Sequence, residues 1–187
     1  MSGAPLVVCV DDDASVARTL ARSLRREHLL PMATTEPEEA LEWVLAHDVA
    51  VLVSDFNMPV MNGVELAARV RAARPTTVRI LVTGSLDLTT ALASINQGEV
   101  YRFVPKPFEL EQVAQVIRDG VEHHQALAMV AAERERTERR TRERAALESR
   151  WSSITQAARA HDGAYLVPRV ADDLAGEGID ELLALRR

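Results

Sequence analysis

Lysine is almost missing from this chain: of 22 basic residues, one is a lysine, Lys106. A single cysteine, Cys9, excludes an internal disulfide and fits a reducing compartment. Aromatics make up 4 % of the residues, so the core must be built from Val, Leu, Ile and Ala. No apolar run approaches the roughly 20 residues of a membrane-spanning helix. The start, MSGAPLVV, lacks the basic region of a signal peptide, which predicts a cytoplasmic protein. Positive charge is also in deficit, with a net charge of −6 and a pI of about 5.4. That balance argues against a chain built wholly to bind nucleic acid.

What is present is a regular alternation. Short apolar runs over 6–10, 29–33, 50–54, 78–82 and 100–104 read as strands. Helical patterns near 14–27, 36–47, 63–73 and 87–97 separate them. Cys9 falls inside PLVVCV and reads as a small buried filler. Thr35 precedes Glu36, Pro37, Glu38 and Glu39, which predicts Thr35 as the N-cap of the second helix. Strands that are apolar throughout are covered by helices on both faces. The pattern therefore predicts an α/β domain with a doubly wound, five-stranded parallel sheet over residues 1–122.

From Glu109 onward no proline or turn cluster interrupts the chain until His161-Asp162-Gly163, which predicts one long helix with Gly120 as its weak point. Residues 123–160 then form a helical linker or coiled coil, and 161–187 a tail with a short amphipathic pattern. The seam that a coiled coil would use is Val113, Ile117, His124, Leu127 and Ala131, resuming at Leu147, Trp151, Ile154 and Ala158. Between its halves, ERERTERRTRER (133–144) holds ten charged residues of twelve, with Glu135–Arg139 and Glu138–Arg142 spaced as i,i+4 pairs. This break in the apolar heptad weakens the case for a continuous zipper. A homodimer through this helix is the expected assembly. Residues 151–187 carry six acids and four arginines, which would repel phosphates, so DNA binding is not expected there. The adjacent His123 and His124 point to different faces of a helix and do not read as a metal pair.

In a doubly wound sheet, ligands sit at the carboxyl ends of the strands. Strand 1 ends in Asp11, Asp12 and Asp13, strand 3 in Ser54 and Asp55, and strand 4 in Thr83, while strand 5 runs into Lys106. Carboxylates gathered at one point repel one another and are driven toward protonation. A hard divalent cation such as Mg²⁺ removes that cost. One carboxylate is then free to act as a nucleophile toward phosphorus. Charge developing on a transferred phosphoryl group needs a hydroxyl and a compact cation. Lysine suits the second role, because a planar guanidinium has a different reach. Pro105 and Pro107 stiffen the exit that aims Lys106, and Lys106–Pro107 fits a cis bond in a tight turn.

The four segments VVCVDDD (7–13), VLVSDFNMPVMNG (51–63), ILVTGS (80–85) and YRFVPKPF (101–108) together resemble the receiver domain of bacterial two-component response regulators, a flavodoxin-like fold. The resemblance covers residues 5 to about 122. It implies Asp55 as phosphoacceptor and Asp12 as direct Mg²⁺ ligand, with Asp11 mostly through water and Asn57 offering its backbone carbonyl. It further implies Thr83 as the hydroxyl on the phosphoryl oxygen, Lys106 as its ion-pair partner, and Phe103 as the aromatic that moves inward on activation. Phe103 as a static core residue is the rival reading. The implied partner is a sensor histidine kinase or phosphotransfer protein, and the implied chemistry is a switch rather than an enzyme. The stretch INQGEVYRFVPKPF is similar to receivers attached to larger output modules, such as HD-GYP phosphodiesterases and AAA+ activators.

Two other readings compete. VCVDDDAS can be parsed as the opening of a haloacid-dehalogenase-type phosphatase, with Asp11 as nucleophile and Asp13 as acid–base. That family needs an acidic pair after the lysine, and Asp55 would be left without a role. A pseudo-receiver scaffold is the second alternative; such proteins usually lose an acid or the lysine, and here all five positions stand.

Overall fold

The protein is described from a computed structural model over residues 3–84 and 100–150, with two short strands beyond. The helix expected over 87–97 lies outside the described residues. The chain divides into two compact units, Met1–Ala131 and Ala132–Arg187.

In the first unit β1 (Leu6–Val10), β2 (Leu30–Thr34), β3 (Val49–Asp55), β4 (Val78–Thr83) and β5 (Arg102–Pro105) form one sheet in the order β2-β1-β3-β4-β5. All four pairings are parallel. The chain steps from β1 outward to β2, then returns to the other side of β1 for β3. That reversal opens a crevice between the carboxyl ends of β1 and β3.

Side chains alternate across the sheet. Val7, Cys9, Val51, Val53 and Ile80 pack on one face with Leu20 and Leu24 of α1 (Ala14–Leu24). Val8, Val10 and Leu52 pack on the other with α2 (Pro37–Ala46) and α3 (Gly63–Ala73). Burial pushes the Cys9 thiol up to about 12, as befits an inert core filler.

Asp13 caps α1, its Oδ1 accepting the Ser15 N–H at 2.7 Å. The cap of α2 differs from expectation. Glu36, not Thr35, is the N-cap residue, and its side chain makes no capping bond. Thr34, at the end of β2, does that work: its hydroxyl accepts the Glu36 N–H at 3.0 Å and donates to Glu39.

The last helix, α4, runs Leu110–Arg150. Beyond the described part of this helix, Ala158–Arg159 (β6) pairs antiparallel with Tyr165–Leu166 (β7). Ala158 is therefore a strand residue, not a seam residue; Trp151 and Ile154 lie outside the described residues. Val113 and Ile117 belong to the sheet's own core and His124 is buried, so the first half of the expected dimer seam is already occupied. Gly120 is no weak point. A Cβ there would come within 3.3 Å of Val51 and Val78, so the missing side chain lets the helix lie close on the sheet. In the charged stretch, Arg139 pairs forward with Glu143 at 2.7 Å rather than back with Glu135. The two histidines diverge. His123 stacks on Tyr101, and His124 Nδ1 lies 2.8 Å from the Thr76 carbonyl. No helix among the described residues is long and apolar enough to cross a membrane.

Candidate functional site

The carboxyl ends of β1, β3, β4 and β5 meet at the crevice. Val10 is in register with Ser54 and Asp55 with Val82, so Asp11 and Asp55 leave adjacent strands side by side. Both are buried, at 3 % and 6 % exposure. Lys106 arrives from the end of β5, where its backbone N–H donates to the Thr83 carbonyl at 2.7 Å. Its ammonium lies 2.5 Å from Asp55 Oδ1 and 2.9 Å from Asp11 Oδ2. The following Lys106–Pro107 bond is cis.

The remaining carboxylate oxygens are held by backbone. Asn57 N–H donates to Asp55 Oδ2 at 2.7 Å, and Asp13 N–H to Asp11 Oδ1 at 3.0 Å. Ser54, buried beneath, donates to the Asp55 carbonyl at 2.8 Å. These backbone donors escape a residue-by-residue reading, because any residue type but proline supplies an N–H. Asp12 and Asn57 are exposed at the rim, Thr83 is buried, and Phe103 is half-buried against Ala67, Leu81 and Val100.

Electrostatically the cluster is unfinished. Burial holds the Asp11 carboxyl above the usual range despite Lys106 and the Asp13 N–H. Lys106 is held above its ordinary value by its two carboxylates, which outweigh its own desolvation. One ammonium thus serves two buried acids, with a third at the rim. Among the described residues no three acidic, His or Cys side chains close up into a metal cage by themselves. The donors are all oxygen and carry excess negative charge, which suits a hard divalent ion that keeps several waters.

This imbalance predicts a stability change. A carboxyl whose folded value is raised takes up its proton in the folded state first. Its stabilising protonation is present below the unfolded value of 3.8 and is lost as pH rises through the folded value. At neutral pH the ionised Asp11 is therefore a burden. Asp11→Asn is expected to raise the thermal midpoint at pH 7 by a few degrees without divalent metal. The advantage should shrink as pH falls through the Asp11 transition. A midpoint at or below wild type at pH 7 would refute the raised value.

A sheet of this order, with acids at its switch point and a lysine behind a cis-proline turn, defines a receiver-type signalling domain. The chain belongs to the response regulator receiver domain family, whose pattern matches residues 7–118. Over 115 residues it is 31 % identical to the DNA-binding transcriptional regulator NtrC of Proteus hauseri, covering 62 % of this chain and 24 % of that protein. The chain thus spans about a quarter of the length of this curated relative. Its structure is similar to the signal receiver domain of an HD domain-containing protein from Pseudomonas fluorescens Pf-5. That match has a TM-score of 0.64 and 27 % identity, over 69 % of this chain and 95 % of the other. It is also similar to the beryllofluoride-activated NtrC4 receiver domain dimer, with a TM-score of 0.60 and 29 % identity, over 64 % of this chain and 98 % of that one.

Proposed function

We propose that this chain is a phosphorylation-activated response regulator of a two-component system, with Asp55 as the phosphoacceptor. The observation that carries the reading is the fixing of Asp55: one oxygen on the Asn57 N–H, the other on the Lys106 ammonium. A carboxylate oxygen of Asp55 attacks the phosphorus of a phosphohistidine or a small acyl phosphate. A P–O bond forms as the P–N or P–O bond to the donor breaks, and the donor leaves with its electron pair. Lys106 stands ready to follow the negative charge onto the transferred group, with the Thr83 hydroxyl on a second oxygen. Asp11, Asp12, Asp55 and the Asn57 carbonyl would hold Mg²⁺, which when bound neutralises charge on the phosphoryl group. Phe103 is read as the aromatic that responds. The chain's own chemistry is that of a switch, located in the cytoplasm, fed by a histidine kinase or phosphotransfer protein.

Incubation with acetyl phosphate and Mg²⁺ is expected to add a single phosphoryl group, and excess chelator to abolish the addition. Labelling that survives chelation unchanged would remove the metal from this reading.

Output is proposed to pass through protein contacts of α4 rather than DNA, with residues 1–122 as the switch, 123–160 as the relay and 161–187 as the tail. A homodimer remains the proposed assembly, on a revised surface. Met129 and Val130 are 76 % and 53 % exposed just after the helix leaves the sheet. Burying such residues against a second copy contributes about 25 cal/mol per Å². Light scattering on the full chain is expected to give a dimer that Met129→Glu with Val130→Glu converts to monomer. A monomer mass at high micromolar concentration, with and without beryllofluoride, would sink it.

A further inference from the structure

Around the β2 edge of the sheet, α1 on one face and Trp43 of α2 on the other border an open hollow of about 510 Å³. Its floor and walls include Pro31, Met32 and Trp43, and its rim carries Arg18, Arg22 and Arg25. A second hollow of about 260 Å³ shares Arg18 and Ala33 with it and reaches Ala14 at the start of α1. The larger volume is within the range of small-ligand sites, roughly 300–1,000 Å³, and its lining mixes apolar side chains with three guanidiniums.

Arg18 and Arg22 stand at i and i+4 on one side of α1, and Arg25 follows at its C-terminal end. Residues 14–26 contain four arginines and no acid, in a chain whose net charge is −6. None of Arg18, Arg22 and Arg25 makes a side-chain hydrogen bond, ion pair or ring contact with any described residue. Elsewhere in the domain arginines find partners: Arg69 takes Glu65, Arg118 takes Glu27 and Glu111, and Arg74 takes the Leu45 carbonyl. Three unneutralised guanidiniums in one hollow repel each other and favour an anion with several charges.

An added peptide strand is the poorer occupant. Leu30 N–H donates inward to the Pro5 carbonyl, so the backbone groups of Pro31 and Ala33 face outward from β2. Pro31 has no N–H, which leaves the edge a single outward donor, at Ala33. Recognition must come from side chains: guanidiniums that take phosphate oxygens in pairs, and the half-buried Trp43 indole, which offers an apolar face to a planar ring.

We propose that the α1–β2 hollow binds a purine nucleotide carrying two or more phosphate charges, with Arg18, Arg22 and Arg25 on the phosphates and the base against Trp43. A nucleoside diphosphate and a cyclic dinucleotide share this chemistry.

The test uses the full chain carrying Trp151→Phe, which leaves Trp43 as the sole indole. Its fluorescence is titrated with ADP, cyclic diguanylate, inorganic phosphate, a polyglutamate peptide and a single-stranded oligonucleotide. Saturable quenching below about 1 mM is expected with one of the two nucleotides, and the tighter one identifies the source. Arg22→Gln is expected to weaken it about tenfold, the loss of one charge-assisted contact, with unchanged circular dichroism because the side chain has no partner among the described residues to lose. Asp55→Ala is expected to bind as wild type; loss of binding there would move the ligand to the acidic crevice and overturn the assignment. So would no saturation by either nucleotide, equal affinity in Arg22→Gln, or phosphate, peptide or oligonucleotide binding at least as tightly as the better nucleotide.

Discussion

Asp55→Ala is expected to accept no phosphoryl group from acetyl phosphate while keeping its fold and a melting midpoint close to wild type. The loss should be complete because no neighbour can take over. Asp13 is committed to capping α1 through Ser15. Asp11 is 3 % exposed and holds both the Asp13 N–H and Lys106. Asp12 is exposed at the rim, without the Lys106 contact that Asp55 has. The fold should survive because the mutation simplifies the charge balance. Two buried acids on one ammonium become a single Asp11–Lys106 pair at 2.9 Å. Breaking a buried pair costs about 3–5 kcal/mol when a charge is left alone, and here none is. Mass spectrometry of the treated variant reads the first claim, and a thermal melt reads the second. A phosphorylated variant would move the acceptor elsewhere and revive the phosphatase-like reading, in which Asp11 is the nucleophile. An unfolded variant would mean that Asp55 is structural.

How much of this was legible in the sequence depends on whether a residue acts by type or by position. Asp11, Asp55 and Lys106 were legible because apolar runs locate strand ends, and the fold rule gathers strand ends at one edge. Their separation in sequence, 95 residues from Lys106 to Asp11 and 51 to Asp55, did not hide them. The cap of α2 was misread because Thr34 and Thr35 are equivalent as cap residues, and only the end of β2 decides between them. The first half of the seam on α4, Val113, Ile117 and His124, was misread for a deeper reason. Val113, Ile117 and His124 recur at helical spacing whether they face a second helix or their own sheet. Periodicity reports that a face is buried, not against what. Gly120 illustrates the same limit: a glycine within a helix reads as a break until the sheet beneath it is known. The hollow beside α1 was invisible, because arginines at i and i+4 read as ordinary solvated charges until their lack of partners is seen.

The second large effect falls on Gly63, a position chosen by backbone proximity alone. Gly63 opens α3 directly after the loop that leaves Asp55, and its N–H donates to the Phe56 carbonyl at 3.0 Å. A Cβ there would sit 2.2 Å from the Asp55 carbonyl oxygen and 3.0 Å from Leu81 Cδ2. The Leu81 methyl can turn away, but the carbonyl belongs to the backbone of β3 and cannot. Either α3 lifts from the sheet or the end of β3 shifts. The first strains the Asn62 cap on Glu65, and the second moves Asp55 relative to Lys106. Overpacking costs about 1–3 kcal/mol where side chains can yield, so Gly63→Ala should lose about 3 kcal/mol. Relief of glycine's backbone entropy offsets at most about 1 kcal/mol of this. The expected reading is a thermal midpoint lower by roughly 10 °C, with slower phosphorylation of Asp55 by acetyl phosphate. Gly84→Ala is the control, since an added methyl there meets no described residue within 4 Å, and its midpoint should match wild type. A Gly63→Ala protein that melts with wild type and is phosphorylated at the same rate would mean that β3 and α3 do not approach as closely as this geometry requires.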